Sequence, residues 1–290
     1  MSEKIWEDLI SLNTGVDVFS EHIGPAGQYA HQDDGSVAWD RQRVPLDLAL
    51  ERDQAPLPST EAREGYYGKN HFNYWASGLR DYCEIAEWLE QKHINISTYL
   101  DIGCASGRVI RAFDAYAGVK ATGCDINRRH VDWVAANLPR SITVFQNHSI
   151  PSLPLPENSV DLVTAFSVFT HVEAFDTTWL MEINRILRPG GVAWLTIHGD
   201  RTWRELQPGW PLYAPLDAHP EYQKDRKHKE IPRPRIVYRW HNDRSYSANI
   251  FYSYDYIRSV WGRIFSVVEI RPCLPPFQDA VILQKPCLDS

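Results

Sequence analysis

A run of small residues, YLDIGCASGR at positions 99–108, is the first candidate for chemistry. An apolar pair leads into Asp101, and Gly103 and Gly107 then enclose three small residues. Chains concentrate such residues where the backbone turns sharply or lies close to a ligand. A second acid, Asp125, follows in GCDIN, and a carboxylate at the end of a strand can accept both hydroxyls of a ribose. The two stretches predict a nucleoside site, unless Asp125 only caps the helix that starts near residue 127.

The glycine spacing distinguishes two kinds of nucleoside site. A dinucleotide-binding turn has the pattern G-x-G-x-x-G, whereas the residues at those offsets here are Gly103, Ala105 and Arg108. Because the third glycine is missing, an NAD-dependent oxidoreductase is the weaker alternative.

Two histidines, His171 in FTHV and His198 at the end of LTIH, are candidates for a general base. Each follows a predicted strand, at the sheet edge where ligands bind in open α/β folds. Imidazole titrates near neutral pH, so either side chain could accept a proton from a reacting hydroxyl. A structural or orienting role is the alternative for His171.

A basic and aromatic segment lies within residues 200–252. Between Tyr222 and Arg244 there are eight Lys and Arg residues against three acidic ones, interleaved with aromatic rings. One interpretation is a solvated charged loop. The other is a lid over the acceptor, in which rings stack on a sugar or aromatic group and cations bind phosphate or carboxylate. The residues proposed to bind substrate are Tyr238, Arg239, Trp240 and His241.

Elements that could position these residues alternate along the chain from residue 98. Short apolar runs are followed by helical patterns at about 106–117, 127–138 and 176–187, and a helix at 72–93 precedes them. This alternation predicts a parallel sheet covered by helices. A last helix at about 253–264 and the strands FSVVEIR and QDAVILQK close the chain, whereas the first 65 residues should hold little regular structure.

Composition excludes several classes of protein. The 290 residues are 43% hydrophobic, enough for a substantial core, and the net charge of −7 argues against binding nucleic acid. Five cysteines without a CxxC pair suggest neither a disulfide framework nor a zinc site, and no metal is expected. Neither a signal peptide nor a membrane span is visible. We therefore expect a cytoplasmic protein that does not insert into membranes.

Two longer stretches narrow the choice of function. LPLPENSVDLVTAFSVFTHV and LMEINRILRPGGVAWLTIHG resemble the fourth and fifth strand regions of class I S-adenosylmethionine-dependent methyltransferases, with ILRPGG as the turn before strand five. With DIGCASG and GCDIN, the resemblance covers about residues 98–198. Weaker similarity in APLPSTEAREGYYGKNHFNYWASG, FYSYDYIRSVWGRIFSVVEI and QDAVILQK points to a bacterial branch associated with surface glycans and secondary metabolites.

This resemblance implies which residues hold the cofactor, S-adenosyl-L-methionine. The turn would hold the methionine and ribose portions through Asp101, Gly103, Cys104, Ala105 and Gly107. The next strand end would bind the ribose hydroxyls through Asp125, with Ile126 beside it. Backbone groups of Phe166 and Ser167 would face the methionine end. The residues implied beside the adenine are Asn147, His148 and Ser149.

The sequence departs from the family pattern at two places. Ala105 replaces the middle glycine of the turn, which is a mild change. The adenine-side stretch QNHSIPSLP lacks an Asp, which leaves the adenine contact open.

We therefore expect an α/β fold with a doubly wound, mostly parallel seven-stranded sheet of the Rossmann-like class I methyltransferase type. Residues 1–95 would form an amino-terminal helical extension with lid helices, and residues 96–290 the methyltransferase domain, with the acceptor lid inserted at 200–252 after strand five. The expected activity is methyl transfer to a hydroxyl of a small organic acceptor. N-methylation, NAD-dependent oxidoreduction and an inactive cofactor-binding module are the alternatives, and a homodimer is left open.

Overall fold

The computed structural model describes residues 21–240, 248–273 and 276–287. These residues divide into an amino-terminal unit that ends at Asn147 and a carboxy-terminal unit that begins at His148. In this part of the chain, no helix combines the length and the apolar character needed to cross a membrane. The division predicted between residues 95 and 96, into an amino-terminal extension and a methyltransferase domain, stays a prediction.

Short elements precede a regular α/β arrangement in the amino-terminal unit. Its elements are β1 (His22–Pro25), a 3₁₀ helix (Ala26–Gln32), α1 (Leu46–Arg52), β2 (Pro56–Pro58), α2 (His71–Gln91), β3 (Thr98–Ile102), α3 (Ile110–Tyr116), β4 (Lys120–Asp125), α4 (Arg128–Asn137) and β5 (Thr143–Gln146). Strands β3, β4 and β5 are parallel neighbours, and β1 pairs with β2 in an antiparallel ribbon. The parallel strands bring their carboxyl ends to one edge, where the acids of β3 and β4 lie.

The carboxy-terminal unit combines further sheet strands with the insertion. Its elements are β6 (Val160–Ala165), α5 (Asp176–Ile186), β7 (Leu187–Ile197), α6 (Asp200–Glu205), α7 (Tyr213–Asp217), α8 (Pro220–Asp225), β8 (Arg235–Arg239), β9 (Ala248–Tyr252), α9 (Tyr254–Val260), a 3₁₀ helix (Trp261–Arg263), β10 (Ser266–Cys273) and β11 (Gln278–Gln284). Strands β6 and β7 are parallel, and β11 and β10 continue the sheet in antiparallel pairing.

The seven strands of the sheet follow the order β3-β4-β5 in the amino-terminal unit and β6-β7-β11-β10 in the carboxy-terminal unit. The predicted mostly parallel, Rossmann-like sheet is confirmed. The helices predicted at 127–138 and 176–187 end within one residue of the observed α4 and α5 boundaries. Such agreement is expected where an amphipathic pattern begins at a residue that can cap a helix. Asn127 is such a residue for α4, because its side chain accepts a hydrogen bond from the Arg129 amide.

Helix α2 lies directly against the turn that follows β3. Asn70 caps this helix through a hydrogen bond from the Asn73 amide, at 2.9 Å. A Cβ atom added at Gly78 would overlap the carbonyl oxygen of Arg108, so only glycine allows this close approach. The predicted helix at 72–93 is confirmed by α2, and the structure adds that α2 supports the turn.

The helix predicted to begin at residue 106 starts four residues later, and this part of the prediction is wrong. Helix α3 begins at Ile110 because Ala105 and Gly107 have φ angles of +45° and +81°, which a right-handed helix cannot contain. The turn therefore extends beyond Gly107 to the start of α3. Two of its residues, Ala105 and Gly107, have φ angles in the left-handed region.

Candidate cofactor and acceptor sites

The turn between β3 and α3 is tightly packed against the end of α4. Gly107 has a φ angle of +81°, and a Cβ atom there would overlap the Leu138 side chain. The amide of Gly107 donates to the carbonyl of Cys104 at 2.9 Å. Glycine is thus required at this position by both backbone conformation and space.

Most amides of this turn are already used within the protein. Those of Gly103 and Cys104 donate to the Cys124 carbonyl at 2.8 and 3.0 Å, and that of Ala105 donates to Oδ2 of Asp125 at 2.9 Å. The spacing alone suggests a helix start with unused N–H groups, and the observed turn differs in this respect. A ligand could approach the backbone of this turn closely, but the turn offers it few unused amide donors.

Ala105 occupies a backbone conformation that glycine adopts more readily. Its φ angle of +45° costs a residue with a Cβ atom about 1–2 kcal/mol. We expect Ala105→Gly to raise the free energy of unfolding by less than about 1 kcal/mol. The substitution relieves backbone strain in the folded protein, but it also makes the unfolded chain more flexible, which offsets part of the gain. Urea denaturation measures this. Ala112→Gly, inside α3, is the control and should destabilise by about 1 kcal/mol; equal losses in the two variants would contradict the expectation.

Asp125, at the end of β4, is buried and bonded to two backbone amides. Its Oδ1 atom accepts from the Asn127 amide at 2.8 Å, while Oδ2 accepts from Ala105. Burial raises the pKa of this carboxyl above its ordinary value, although the amides and His130 oppose the shift. Since Asn127 is the residue that caps α4, helix capping does not account for Asp125.

Asp101, at the end of β3, is 2% exposed and pairs in register with Gly123 of β4. The thiol of Cys104 is fully buried, and burial together with the charges of Asp125 and Asp101 raises its pKa well above the usual range. Cys104 is therefore a neutral packing residue of the turn and not a reactive thiol.

A cluster that the sequence analysis missed surrounds this turn. The hydroxyl of Ser106 donates to the Ala62 carbonyl at 2.6 Å and lies 3.1 Å from Nδ1 of His130. Nε2 of His130 lies 3.4 Å from Oε1 of Glu64. Because Ser106 has one proton and gives it to Ala62, both ring nitrogens of His130 act as donors. Burial opposes the charged imidazole, but Glu64 and Asp125 raise the pKa of His130 above its ordinary value.

No spacing signal marks this cluster, because its members come from three separate segments of the chain. Only their packing shows that the segment before α2 is bonded to the turn.

The residues implied beside the adenine fall at the end of β5 and beyond it. The amide of Asn147 donates to the Asp125 carbonyl at 3.1 Å, and Ile126, half-buried, accepts from Gln146 through its carbonyl. In the carboxy-terminal unit, His148 is exposed, and the Ser149 carbonyl accepts from the Trp179 indole at 3.1 Å. Their roles toward an adenine stay predictions.

Ser167, just after β6, is held in an uncommon conformation. It is exposed and has a φ angle of +58°. Its amide donates to Oγ1 of Thr196 at 2.7 Å, and Gln278 donates to its hydroxyl at 2.8 Å. Strained backbone at a strand end is a frequent feature of binding sites. Phe166 beside it is half-buried, and the cofactor contact implied for both residues stays a prediction.

The two candidate bases differ in their surroundings. Nδ1 of His171 lies 2.6 Å from the Ala248 carbonyl, so Nδ1 carries the proton and, in the neutral ring, Nε2 holds the lone pair. His198 is 3% exposed, and burial, together with the charge of His171, lowers its pKa to about 3. A group with so low a pKa is a poor proton acceptor at neutral pH. The geometry therefore favours His171.

The insertion at 200–252 has a small core of its own and is more than a charged loop. The buried members of this core are Trp203, Leu212, Leu216, Tyr222, Ile231, Ile236, Tyr238 and Phe251. Tyr238 is fully buried and its hydroxyl donates to Asp225 at 3.0 Å, whereas Trp240 packs partly exposed against the core. Arg239 forms an ion pair with Glu173. His241 lies outside the described residues.

The insertion is bonded to the segment that carries His171. Arg235 donates to the carbonyls of Val172 and Glu173 at 2.6 and 2.7 Å, and Ala248 accepts from His171. These contacts place the insertion beside the candidate base.

Residues 100–195 match the model of a family described as a methyltransferase domain. This segment is therefore similar to methyltransferase domains. It includes the turn after β3, Asp125, Ser167 and His171, whereas His198 and the insertion follow it.

Two curated relatives support a class I S-adenosylmethionine-dependent methyltransferase. An uncharacterized methyltransferase of Schizosaccharomyces pombe is 26% identical over 140 residues, which are 41% of this chain and 49% of that protein. A Mycolicibacterium smegmatis protein named as a probable S-adenosylmethionine-dependent methyltransferase is 35% identical over 95 residues, 32% of this chain and 35% of that protein. The chain therefore spans half or less of the length of these relatives.

Among solved structures, a SAM-dependent methyltransferase from Methanosarcina mazei is similar in fold. It has a TM-score of 0.50 and 18% identity, and the match covers 69% of this chain and 98% of that one. At this identity the similarity concerns the fold alone, and it agrees with the observed seven-stranded sheet.

Proposed function

We propose that this protein transfers a methyl group from S-adenosylmethionine to a hydroxyl of a small organic acceptor. The observation that carries the proposal is the buried carboxylate of Asp125, bonded to the glycine-containing turn within the segment that matches the methyltransferase family model. The relatives support methyl transfer, and the acceptor is inferred from the chain's own residues and its sequence resemblance.

The residues of the turn and of Asp125 fit a bound nucleoside. A carboxylate has about four acceptor positions, and two backbone amides occupy two of them at Asp125. The remaining positions can accept the two ribose hydroxyls without any loss of the bonds that hold the carboxylate. The turn that contains Gly103 and Gly107 would then lie beside the methionine portion.

The chemistry that the protein must supply is mainly alignment. S-adenosylmethionine provides a methyl group that its sulfonium already makes electrophilic. Holding the acceptor atom in line with the methyl carbon and the sulfur can contribute about 7–11 kcal/mol. We propose that Nε2 of His171 accepts the hydroxyl proton as the new bond forms, since its Nδ1 is bound to Ala248.

We propose a glycan precursor or a secondary metabolite as the acceptor. The support is the resemblance of the flanking segments to a bacterial branch of such enzymes, together with the aromatic and basic character of the insertion. Tyr238 supports the insertion's core, so Trp240 is the better candidate for stacking on a sugar or ring.

Calorimetry and a transfer assay test the proposed function. S-adenosylhomocysteine should bind and NADH should not. Incubation of the protein and labelled S-adenosylmethionine with candidate acceptors should yield a product heavier by one methylene. Binding of NADH instead would favour an oxidoreductase, and cofactor binding without labelling of any cell extract would favour an inactive binding module.

The insertion should contribute to acceptor binding more than to cofactor binding. We expect Trp240→Ala to raise the acceptor KM by about 2- to 10-fold, because a stacked ring is worth about 0.5–1.5 kcal/mol. The affinity for S-adenosylhomocysteine should stay unchanged. Trp210→Ala, which removes another ring packed on the same core, controls for stability. Equal effects of Trp240→Ala on acceptor and cofactor would indicate a folding role instead.

A further inference from the structure

The segment between β6 and α5 carries His171 but has no regular structure of its own. Residues 166–175 consist of turns and bends, so neither helix nor strand bonds hold the candidate base in place. Strand β9 contacts this segment twice: the Ile250 amide donates to the Thr170 carbonyl at 2.9 Å, and the Ala248 carbonyl accepts from Nδ1 of His171 at 2.6 Å. The hairpin of β8 and β9 therefore contributes to the position of the base.

Arg235, the first residue of β8, bonds two consecutive carbonyls of the same segment. Its Nη2 atom donates to the carbonyls of Val172 and Glu173 at 2.6 and 2.7 Å. Successive carbonyls of an extended strand point in opposite directions, so one nitrogen can bond both only where the backbone bends. Arg235 therefore stabilises a bend that directly follows His171.

The guanidinium of Arg235 is itself held from two sides. Its carbon lies 5.5 Å from the ring centroid of Tyr252, which is the register partner of Arg235 in the hairpin. Its Nε atom lies 3.9 Å from Oδ2 of Asp176, the first residue of α5, and the same oxygen accepts from the Tyr256 hydroxyl at 3.0 Å. The ring and the carboxylate both attract the cation, so Arg235 connects the hairpin with the bend and with the start of α5.

A second arginine of β8 contacts the bend through a side chain. Arg239 forms an ion pair with Glu173, and its register partner in the hairpin is Ala248, whose carbonyl binds His171. The bend and the carbonyl that binds the imidazole are thus attached to one hairpin. A shift of the bend would move His171 relative to Ala248.

We propose that Arg235 is a positioning residue for His171. By holding the bend, it keeps Nδ1 of His171 on the Ala248 carbonyl, so that the proton stays on Nδ1 and the lone pair stays on Nε2. The insertion thereby prepares the base in addition to contacting the acceptor. The effect on turnover rests on the proposed function, whereas the tautomer of His171 can be measured without cofactor or acceptor.

Long-range ¹H–¹⁵N NMR spectra of the protein labelled at histidine test the proposal at mildly alkaline pH, where imidazole is neutral. The signals of His171 are those absent from His171→Ala. We expect a single Nδ1–H tautomer in the parent protein and a mixture of both tautomers in Arg235→Gln. Arg235→Lys should stay closer to the parent, because it keeps the charge and a donor but not the planar fork. It also serves if Arg235→Gln does not fold.

His219, in the same insertion, is the internal reference for folding. Its Nδ1 atom accepts from the Glu221 amide at 3.2 Å, so the proton lies on Nε2, and this tautomer should persist in every variant. Arg185→Gln is the matched control, because Arg185 also donates to a backbone carbonyl, that of Leu153, at 3.2 Å. It should leave the tautomer of His171 unchanged.

Kinetics with the hydroxyl acceptor found in the transfer assay give the second measurement. Arg235→Gln should lower kcat about 10- to 100-fold, as for a base displaced by about 1 Å, and change the acceptor KM and the S-adenosylhomocysteine affinity less than about threefold.

The inference is overturned if His171 keeps a single tautomer in Arg235→Gln, if His219 changes together with it, or if Arg185→Gln has the same effect. A changed tautomer with unchanged kcat would confirm the positioning by Arg235 and contradict the role of His171 as the base, which belongs to the proposed function.

Discussion

Replacing His171 by Ala is expected to lower the turnover of a hydroxyl acceptor by about 10²–10⁴, while the cofactor still binds. An alcohol holds its proton too tightly to lose it before attack at neutral pH. A side chain must therefore accept the proton as the oxygen–methyl bond forms. The bond from Nδ1 of His171 to Ala248 keeps the lone pair on Nε2, which suits that role.

Steady-state kinetics with a hydroxyl acceptor and calorimetry with S-adenosylhomocysteine measure the two halves of this prediction. His198→Gln is the matched control. The pKa of His198, about 3, keeps its ring neutral across the working range of pH and makes it a poor base. We expect it to lower turnover less than about tenfold. The His198→Gln substitution should also leave the pH dependence of turnover unchanged.

Parent-like turnover in a folded, cofactor-bound His171→Ala variant would contradict this role. A large loss in His198→Gln alone would assign the base to the other histidine. If neither variant loses activity, the base comes from the insertion, or the acceptor arrives already deprotonated, as a carboxylate would.

Replacing Asp125 by Ala should weaken S-adenosylhomocysteine about 10²- to 10⁴-fold, as two hydrogen bonds to a charged group are lost. The variant also leaves the amides of Ala105 and Asn127 without their acceptor, so the turn loses a bond that shapes it. Calorimetry at neutral pH measures the loss. Asp132→Asn is the control, because its half-buried carboxylate on α4 pairs with Arg128 and should not matter for binding.

The same carboxyl makes binding depend on pH. Burial raises the pKa of Asp125, so the carboxyl takes up a proton at a higher pH than an ordinary Asp as the solution is acidified. As the pH falls, the affinity for S-adenosylhomocysteine should therefore begin to decline at a higher pH than it would for an Asp of ordinary pKa. Unchanged affinity in Asp125→Ala would contradict the assignment of the ribose site.

Local patterns in the sequence determined the sheet and its helices. Apolar runs, helical periodicity and the glycines of residues 99–108 are read from neighbouring positions, so they identify α4, α5 and the turn without knowledge of distant contacts. The pattern does not predict where α3 starts, since the positive φ angle at Ala105 cannot be inferred from an alanine. It does not predict the core of the insertion either, because that core joins residues from Trp203 to Phe251 that have no common period.

Only the tertiary structure decided how the candidate side chains differ from one another. His171 and His198 are equivalent in sequence, but one is bonded to Ala248 and the other is buried with a lowered pKa. Likewise, Arg63 and Arg111 are both buried arginines, and within the described part of the chain only Arg111 has a carboxylate partner, Asp53. Burial and counter-charges come from residues far apart along the chain. They set the protonation state of each group and decide which of its hydrogen-bonding atoms can still bind a ligand. The sequence therefore determines where chemistry is possible, and the packing determines which side chain can perform it.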